Sequence, residues 1–171
     1  QPVYITEGSE YNIKITTELD LFLAEQIFRL QPSVALSSKT LRNRRYIVTG
    51  GSGGIGQTII KCLEKEGAEA IDISRSSKSY PANLCCYTDV EKVFTDIFNK
   101  FGPVDGLINS IGFFVKKPFM QLSQQEIQEI VATNLTSVLF CCKCAHLKPQ
   151  GHILNIASSS YSRGRKNYTI Y

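Results

Sequence analysis

From residue 46 onward the apolar positions change rhythm repeatedly, and each change marks an element. Tyr46–Gly50 (YIVTG) is a short unbroken apolar run, the pattern of a buried strand. Ile55, Ile59, Cys62 and Leu63 then recur at helical spacing through IGQTIIKCLEKEG, and Gly67 is placed to end that helix. AEAIDIS, residues 68–74, predicts a second strand. VEKVFTDIFNKFG repeats the helical pattern with Val93, Phe94, Ile97, Phe98 and Phe101 and stops at Gly102. VDGLINSIG, residues 104–112, predicts a third strand. Ser123 and Glu126 make a capping box for one long helix over 124–147, and GHILNIAS, residues 151–158, is a further strand. Strands alternating with helices of this length predict an α/β fold: a Rossmann-type, doubly wound parallel sheet covered on both faces.

The pattern before this region is different. Val3–Thr6 and Asn12–Thr16 are short β-type runs around a Gly-Ser turn. Thr17, with Asp20 three residues on, can cap a helix whose apolar positions are Leu19, Phe22, Leu23, Ile27 and Leu30. Residues 31–45 carry a proline, serines and basic residues with weak periodicity, and predict a linker. Two strands and one helix bury too little for a core of their own. The chain therefore divides into 1–30, the end of a larger domain; 31–45, a linker; and 46–171, the sheet domain.

Composition narrows the classes. A net charge of +4 is too mild to indicate nucleic acid. No apolar run approaches a membrane span, and QPVYITEGSE lacks a signal-peptide layout. The six cysteines include the neighbours Cys85–Cys86 and Cys141–Cys142, a poor disulfide framework, so reduced thiols and a cytoplasmic location are expected. Cys141 and Cys144 form one C-x-x-C without a second ligand pair, within an apolar helical pattern. Buried helix cysteines are expected there, and no metal.

The candidate chemistry lies in the first strand-to-helix turn, Thr49–Gly56 (TGGSGGIG). Glycines let the backbone turn tightly and approach a pyrophosphate, and the following helix offers it free N–H groups and a partial positive charge. The turn predicts a dinucleotide site with contacts from Gly50, Ser52, Gly54, Ile55 and Gly56. The fingerprint alone would choose Asp72 as the ribose-binding acid, and so NAD. The end of the strand instead holds Ser74, short and neutral, followed by Arg75, which can pair with a 2′-phosphate and predicts NADP(H). A solvated Arg75 is the plainer alternative.

With these motifs, the chain from about Tyr46 onward resembles the short-chain dehydrogenase/reductases. TGGSGGIG is similar to the family's cofactor turn, and TDV at Thr88–Val90 to the segment that contacts adenine, which implicates Asp89 and Val90. LINSIG is similar to the family's N-N-A-G stretch, with Asn109 and Gly112 kept and Ser110 and Ile111 departing. TNL puts Asn134 at the active-site asparagine, on an apolar stripe with Ile127, Ile130, Val131 and Val138, where a core asparagine bonded to backbone is the plainer reading. NIASSS resembles the strand ending on the catalytic serine, here Ser158, and family spacing of thirteen positions then reaches Tyr171. Ser159, Ser160 and Tyr168 are alternatives that the spacing disfavours. The resemblance implies that Ser158 holds a substrate oxygen and Tyr171 protonates it. The family's lysine belongs four positions further on, beyond the last residue, so the sequence is expected to be an internal fragment, inactive by itself.

EGSEYNIKITTELDLFLAE is similar to the C-terminal end of the sugar- and methylerythritol-phosphate cytidylyltransferases, with Lys14 at a lysine near their active site. The two resemblances together imply a bifunctional enzyme that reduces D-ribulose 5-phosphate to D-ribitol 5-phosphate and forms CDP-ribitol, a homo-oligomer when full length. Arg163, Arg165 and Lys166, between the proposed serine and tyrosine, would then meet the phosphate of a small sugar substrate. The alternatives are a reductase of another carbonyl and a Rossmann-like nucleotide-binding module without catalysis.

Overall fold

The computed structural model describes residues 13–30, 41–158, 160, 164–168, 170 and 171. The chain forms two compact units, Gln1–Ser38 and Lys39–Tyr171. In the first, α1 spans Glu18–Leu30. Its start is the expected box: the Thr17 N–H donates to Asp20 Oδ2 at 2.8 Å and the Asp20 N–H to Thr17 Oγ1 at 3.3 Å. Thr16 adds its N–H and its hydroxyl, and these bonds hold the Asp20 carboxyl down at about 2. Residues 13–16 are not a strand, contrary to expectation. The donors of Thr16 turn inward to Asp20 and so are not offered to a neighbouring strand. The expected strand at Val3–Thr6 lies outside the described residues, as do residues 31–40 of the expected linker. Leu19, Phe22 and Leu23 are exposed and Ala24 is buried.

The second unit carries a parallel sheet of β1 (Arg45–Thr49), β2 (Glu69–Ile73), β3 (Val104–Asn109) and β4 (Leu147–Asn155), in the order β2-β1-β3-β4. The pleat sends alternate β1 residues to opposite faces. Ile47 joins Ile71, Ile73, Leu107, Phe94, Ile97 and Cys141 on one side; Tyr46 and Val48 join Leu63, Ala68 and Ile108 on the other. The first layer is closed by α3 (Tyr87–Phe101) and by the helix after it, the second by α2 (Gly54–Lys65). Fully burying each such side chain contributes about 1.5–3 kcal/mol. Coverage on both faces holds for β1 and β3, but not for β4. Among the described residues that strand pairs only with β3, and Ile153 and Leu154 are 40% and 48% exposed.

Three boundaries depart from the sequence reading. The strand expected over 104–112 ends at Asn109, which leaves 110–113 to line the mouth of the sheet. The strand expected from 151 begins at Leu147 and changes register against β3, where Pro149 has no N–H to give. The single helix expected over 124–147 is α4 (Gln124–Val131), one π turn (Ala132–Thr136) and α5 (Ser137–Cys144). Its capping box is present: Ser123 and Glu126 exchange bonds of 2.8 and 3.1 Å, and Lys117 Nζ reaches Glu126 Oε1 at 2.7 Å. Among the described residues no helix is long and apolar enough to cross a membrane.

Candidate active site

The glycine turn stands at the carboxyl end of β1. Gly50 has φ +70°, and its N–H donates to the Ile73 carbonyl at 2.9 Å. A Cβ on Gly50 would meet Ile111 Cα at 2.8 Å, and one on Gly56 would overlap the Gly50 carbonyl oxygen, so both positions exclude side chains. The first i→i−4 bond of α2 runs from the Gln57 N–H to the Gly53 carbonyl. The N–H groups of residues 54–56 therefore precede the helical ladder. A Cβ on Gly54 would meet nothing within 4 Å, so the turn is open on its outer side. A backbone concavity walled by excluded side chains fits a dinucleotide's pyrophosphate.

Two cavities meet over this turn. Gly53 and Ser110–Phe113 line both. The first, about 490 Å³, is bordered by Gly50, Ser52, Ser74 and Arg75. Arg75 sits in a turn closed by the Ser77 N–H on the Ser74 carbonyl at 3.2 Å and is exposed. Gly112 lines both cavities. Asp89 and Val90 do not line either. The TDV string lies in the first turn of α3, where Asp89 is exposed and Val90 is core at 0% exposure. The loop that does line the cavity is Ala82–Cys85, so Asn83 and Leu84 take the place expected of Asp89 and Val90. The signal for them was faint: Pro81 makes a single parallel bridge to Ser74, too little apolar sequence to read as a strand.

The second cavity, about 800 Å³, brings together Asn134, Ser158 and Tyr171, with Gly54, Ile55 and Gly56 from the turn. Asn134 sits in the π turn and grips the main chain of one residue on both sides: its Oδ1 accepts from the Phe113 N–H at 2.8 Å and its Nδ2 donates to the Phe113 carbonyl at 2.7 Å. The plainer reading of Asn134, a backbone-bonded asparagine, is thus met while the residue also faces the cavity. The Ser158 hydroxyl donates to Ser160 Oγ at 3.1 Å. Tyr171, 44% exposed, lies edge-on to Phe114 with centroids 4.9 Å apart, and Phe114 stacks on Tyr168 at 4.5 Å. Phe114 and Tyr168 also line the cavity. Arg165 and Lys116 stand 5.8 and 6.0 Å from the Tyr168 ring centre. Arg165 and Lys166 are exposed and do not line the cavity, while Arg163 and Ser159 lie outside the described residues.

Asn109 does not reach either cavity. It is 1% exposed, accepts from Thr49 Oγ1 at 3.1 Å and donates to Asn155 Oδ1 at 2.8 Å, which ties the ends of β1, β3 and β4 beneath the cleft. Cys141 is fully buried, and that burial pushes its thiol up to about 12. Among the described residues no group of His, Cys, Asp or Glu could hold a metal ion.

A parallel α/β sheet with a glycine turn at β1 and a cleft at its carboxyl edge is the arrangement in which such sheets bind dinucleotides. Residues 51–171 match the family model described as enoyl-(acyl carrier protein) reductase, and the chain belongs to the short-chain dehydrogenase/reductases, oxidoreductases that use NAD(P)(H). It is 32% identical to the bifunctional ribulose 5-phosphate reductase/CDP-ribitol pyrophosphorylase Bcs1 of Haemophilus influenzae, over 99% of this chain and 37% of the relative. It is 28% identical to L-xylulose reductase of Bos taurus, over 77% of this chain and 59% of the relative. Among solved structures, a glucose/ribitol dehydrogenase from Brucella melitensis superposes with a TM-score of 0.74 at 26% identity, over 79% of this chain and 65% of that one. Ligand-free aldohexose dehydrogenase of Thermoplasma acidophilum gives 0.73 at 27% identity, over 79% and 57%. The chain thus spans 37% and 59% of the length of the two curated relatives.

Proposed function

We propose that the protein is an NADP(H)-dependent reductase of a sugar-phosphate ketone, D-ribulose 5-phosphate giving D-ribitol 5-phosphate, within a bifunctional enzyme that also makes CDP-ribitol. The observation that carries this reading is the convergence of Asn134, Ser158 and Tyr171 on one cavity that adjoins the glycine turn. The dinucleotide, when bound, supplies hydride to the carbonyl carbon. With substrate bound, the Ser158 hydroxyl turns from Ser160 to donate its hydrogen bond to the carbonyl oxygen, and Tyr171 gives that oxygen its proton. Asn134 fixes the main chain of Phe113, a residue that lines both the nucleotide and the substrate cavity. Arg75 meets the 2′-phosphate.

The substrate class is supported by the Haemophilus match, which extends through nearly all of the chain and so into the segment before β1, the end of a cytidylyltransferase on this reading. It is also supported by the positive charge of Lys116 and Arg165 around Tyr168, at the rim of the cavity. Arginine forks suit phosphate oxygens. Val131, Leu135 and Leu139 recur at one-turn spacing and are 43–58% exposed, the stripe through which two copies would pair. A cytoplasmic location follows from the substrate and the reduced thiols.

A second reading, reduction of the 3-keto group of an acyl thioester, is favoured by the 30% identity, over 77% of this chain, to 3-oxoacyl-[acyl-carrier-protein] reductase FabG of Vibrio cholerae. Comparing kcat/KM for D-ribulose 5-phosphate, D-ribulose and an acetoacetyl thioester separates the two. The phosphorylated ketose should be the best by well over tenfold. Faster reduction of the thioester would replace this proposal with the second reading, and equal use of both ketoses would remove the phosphate from it.

A further inference from the structure

Asp72 is a half-buried residue whose carboxylate the chemistry above does not use. Its Oδ1 is buried without a hydrogen-bond partner, in the space that a Cβ on Gly51 would fill. Its Oδ2 accepts from Ser74 Oγ at 3.1 Å, and its main-chain carbonyl accepts from Ser77 Oγ at 2.9 Å. One residue thus touches the phosphate turn, the strand end that lines the first cavity, and the loop that carries Arg75. An unpaired buried carboxylate oxygen is destabilising, so its retention calls for a reason.

We infer that Asp72 is a positioning residue that fixes Ser74 as a hydrogen-bond acceptor and so limits the protein's preference for NADP(H) over NAD(H). The inference rests on the dinucleotide reading of the cleft. An ionised carboxylate only accepts, so in the Asp72–Ser74 pair the serine must donate. The single hydroxyl hydrogen of Ser74 is thereby committed inward, and what Ser74 offers the cavity is lone pairs. A ribose 2′-hydroxyl can donate to them. A 2′-phosphate dianion brings only acceptors, and it is also repelled by the like charge of the carboxylate behind Ser74. Arg75 draws a 2′-phosphate in; the Asp72–Ser74 pair opposes it. The preference for NADP(H) is the difference between the two, and it is narrower than Arg75 alone would give. The acid that the glycine fingerprint singles out therefore acts through its neighbour rather than on the ribose.

Fluorescence titration of the purified protein with NADPH and with NADH reads this without turnover. Asp72→Ala should release the Ser74 hydroxyl and shift the ratio of dissociation constants toward NADPH by about tenfold, the scale of one hydrogen bond to a charged group. In a Ser74→Ala background the same change should shift the ratio by less than half as much. Ser74→Ala alone should weaken NADH by about threefold and leave NADPH nearly unchanged, a readout that survives if Asp72→Ala does not fold. A shift of equal size in both backgrounds means that the carboxylate acts by charge alone, and no shift means that it serves the fold alone; either overturns the inference. If the unmodified protein binds neither nucleotide, both this inference and the function proposed above fail. If it binds them and only the shift is missing, the inference fails and that function stands.

Discussion

Gly56→Ala and Gly54→Ala form a matched pair that tests the glycine turn. A methyl at residue 56 would overlap the Gly50 carbonyl oxygen and stand 2.7 Å from Gly51 Cα, where ordinary contact begins near 3.4 Å. Both neighbours are backbone, so relief requires the turn to open by at least about 0.7 Å. Overpacking of this kind costs about 1–3 kcal/mol. Reduced freedom of the unfolded chain returns about 0.4–1 kcal/mol. The net effect is destabilisation by roughly 1–2 kcal/mol, a fall in Tm of about 3–8 °C for a unit of this size. At residue 54 the methyl meets nothing within 4 Å. Gly54→Ala should therefore keep or raise stability by up to about 1 kcal/mol, while its methyl fills the space from which a pyrophosphate would approach. Thermal unfolding without nucleotide, paired with NADPH fluorescence titration, separates the cases. Gly56→Ala should lose both stability and binding, and Gly54→Ala binding alone. Full NADPH affinity in both variants would refute the assignment of the turn as the phosphate cradle.

Asn134→Ala leaves the Phe113 N–H and carbonyl without the partners now 2.8 and 2.7 Å away, and urea unfolding should show a loss of about 1–3 kcal/mol; a neutral effect would mean that water replaces the grip. Glu126 is held at about 2, well below the usual 4.5, chiefly by its bond to Lys117 and then by the Ser123 N–H. A depressed carboxylate contributes stability that is complete above the unfolded value and is lost as pH falls from about 4.5 toward 2. Glu126→Gln should flatten the acid limb of a stability–pH curve in that window, and an unchanged limb would show that the capping box is open in solution. Cys62 is exposed and Cys141 fully buried, its thiol raised to about 12, so a thiol reagent at pH 8 should modify Cys62 at once and Cys141 only at the rate of unfolding. Equal rates at the two would mean that the α3–α5 layer opens readily.

The sheet was legible because strand and helix periods alternate, Tyr46–Val48 is an unbroken apolar run, and Leu107 and Ile108 keep an apolar centre in Val104–Asn109. The π turn was not, because one inserted residue leaves Ile130 buried and the remaining apolar spacing nearly helical. Asp89 and Val90 were misassigned because a three-residue string matches in more than one register. The structure shows that string already wound into α3, with the cleft-lining residues a helical turn earlier. Asn109 illustrates another limit. It was expected inside a strand running to 112 and as a cofactor contact; the strand ends on it, and sequence does not say that its amide turns down into the Thr49–Asn155 ladder rather than up to the cleft. The long-range meeting of Asn134, Ser158 and Tyr171 came from family spacing, since no local pattern links a helix, a strand end and a loop.

The central claim is tested most directly by following NADPH oxidation with D-ribulose 5-phosphate in the purified full-length protein, alongside a Tyr171→Phe variant. Removing the phenol's hydroxyl takes away the proposed proton donor without changing the ring packed against Phe114. The account predicts NADPH-dependent turnover in the unmodified protein and a loss of at least about a hundredfold in kcat for the variant, with NADPH affinity retained. Unchanged turnover by the variant, or no turnover of the ketose phosphate by the unmodified protein, would contradict it.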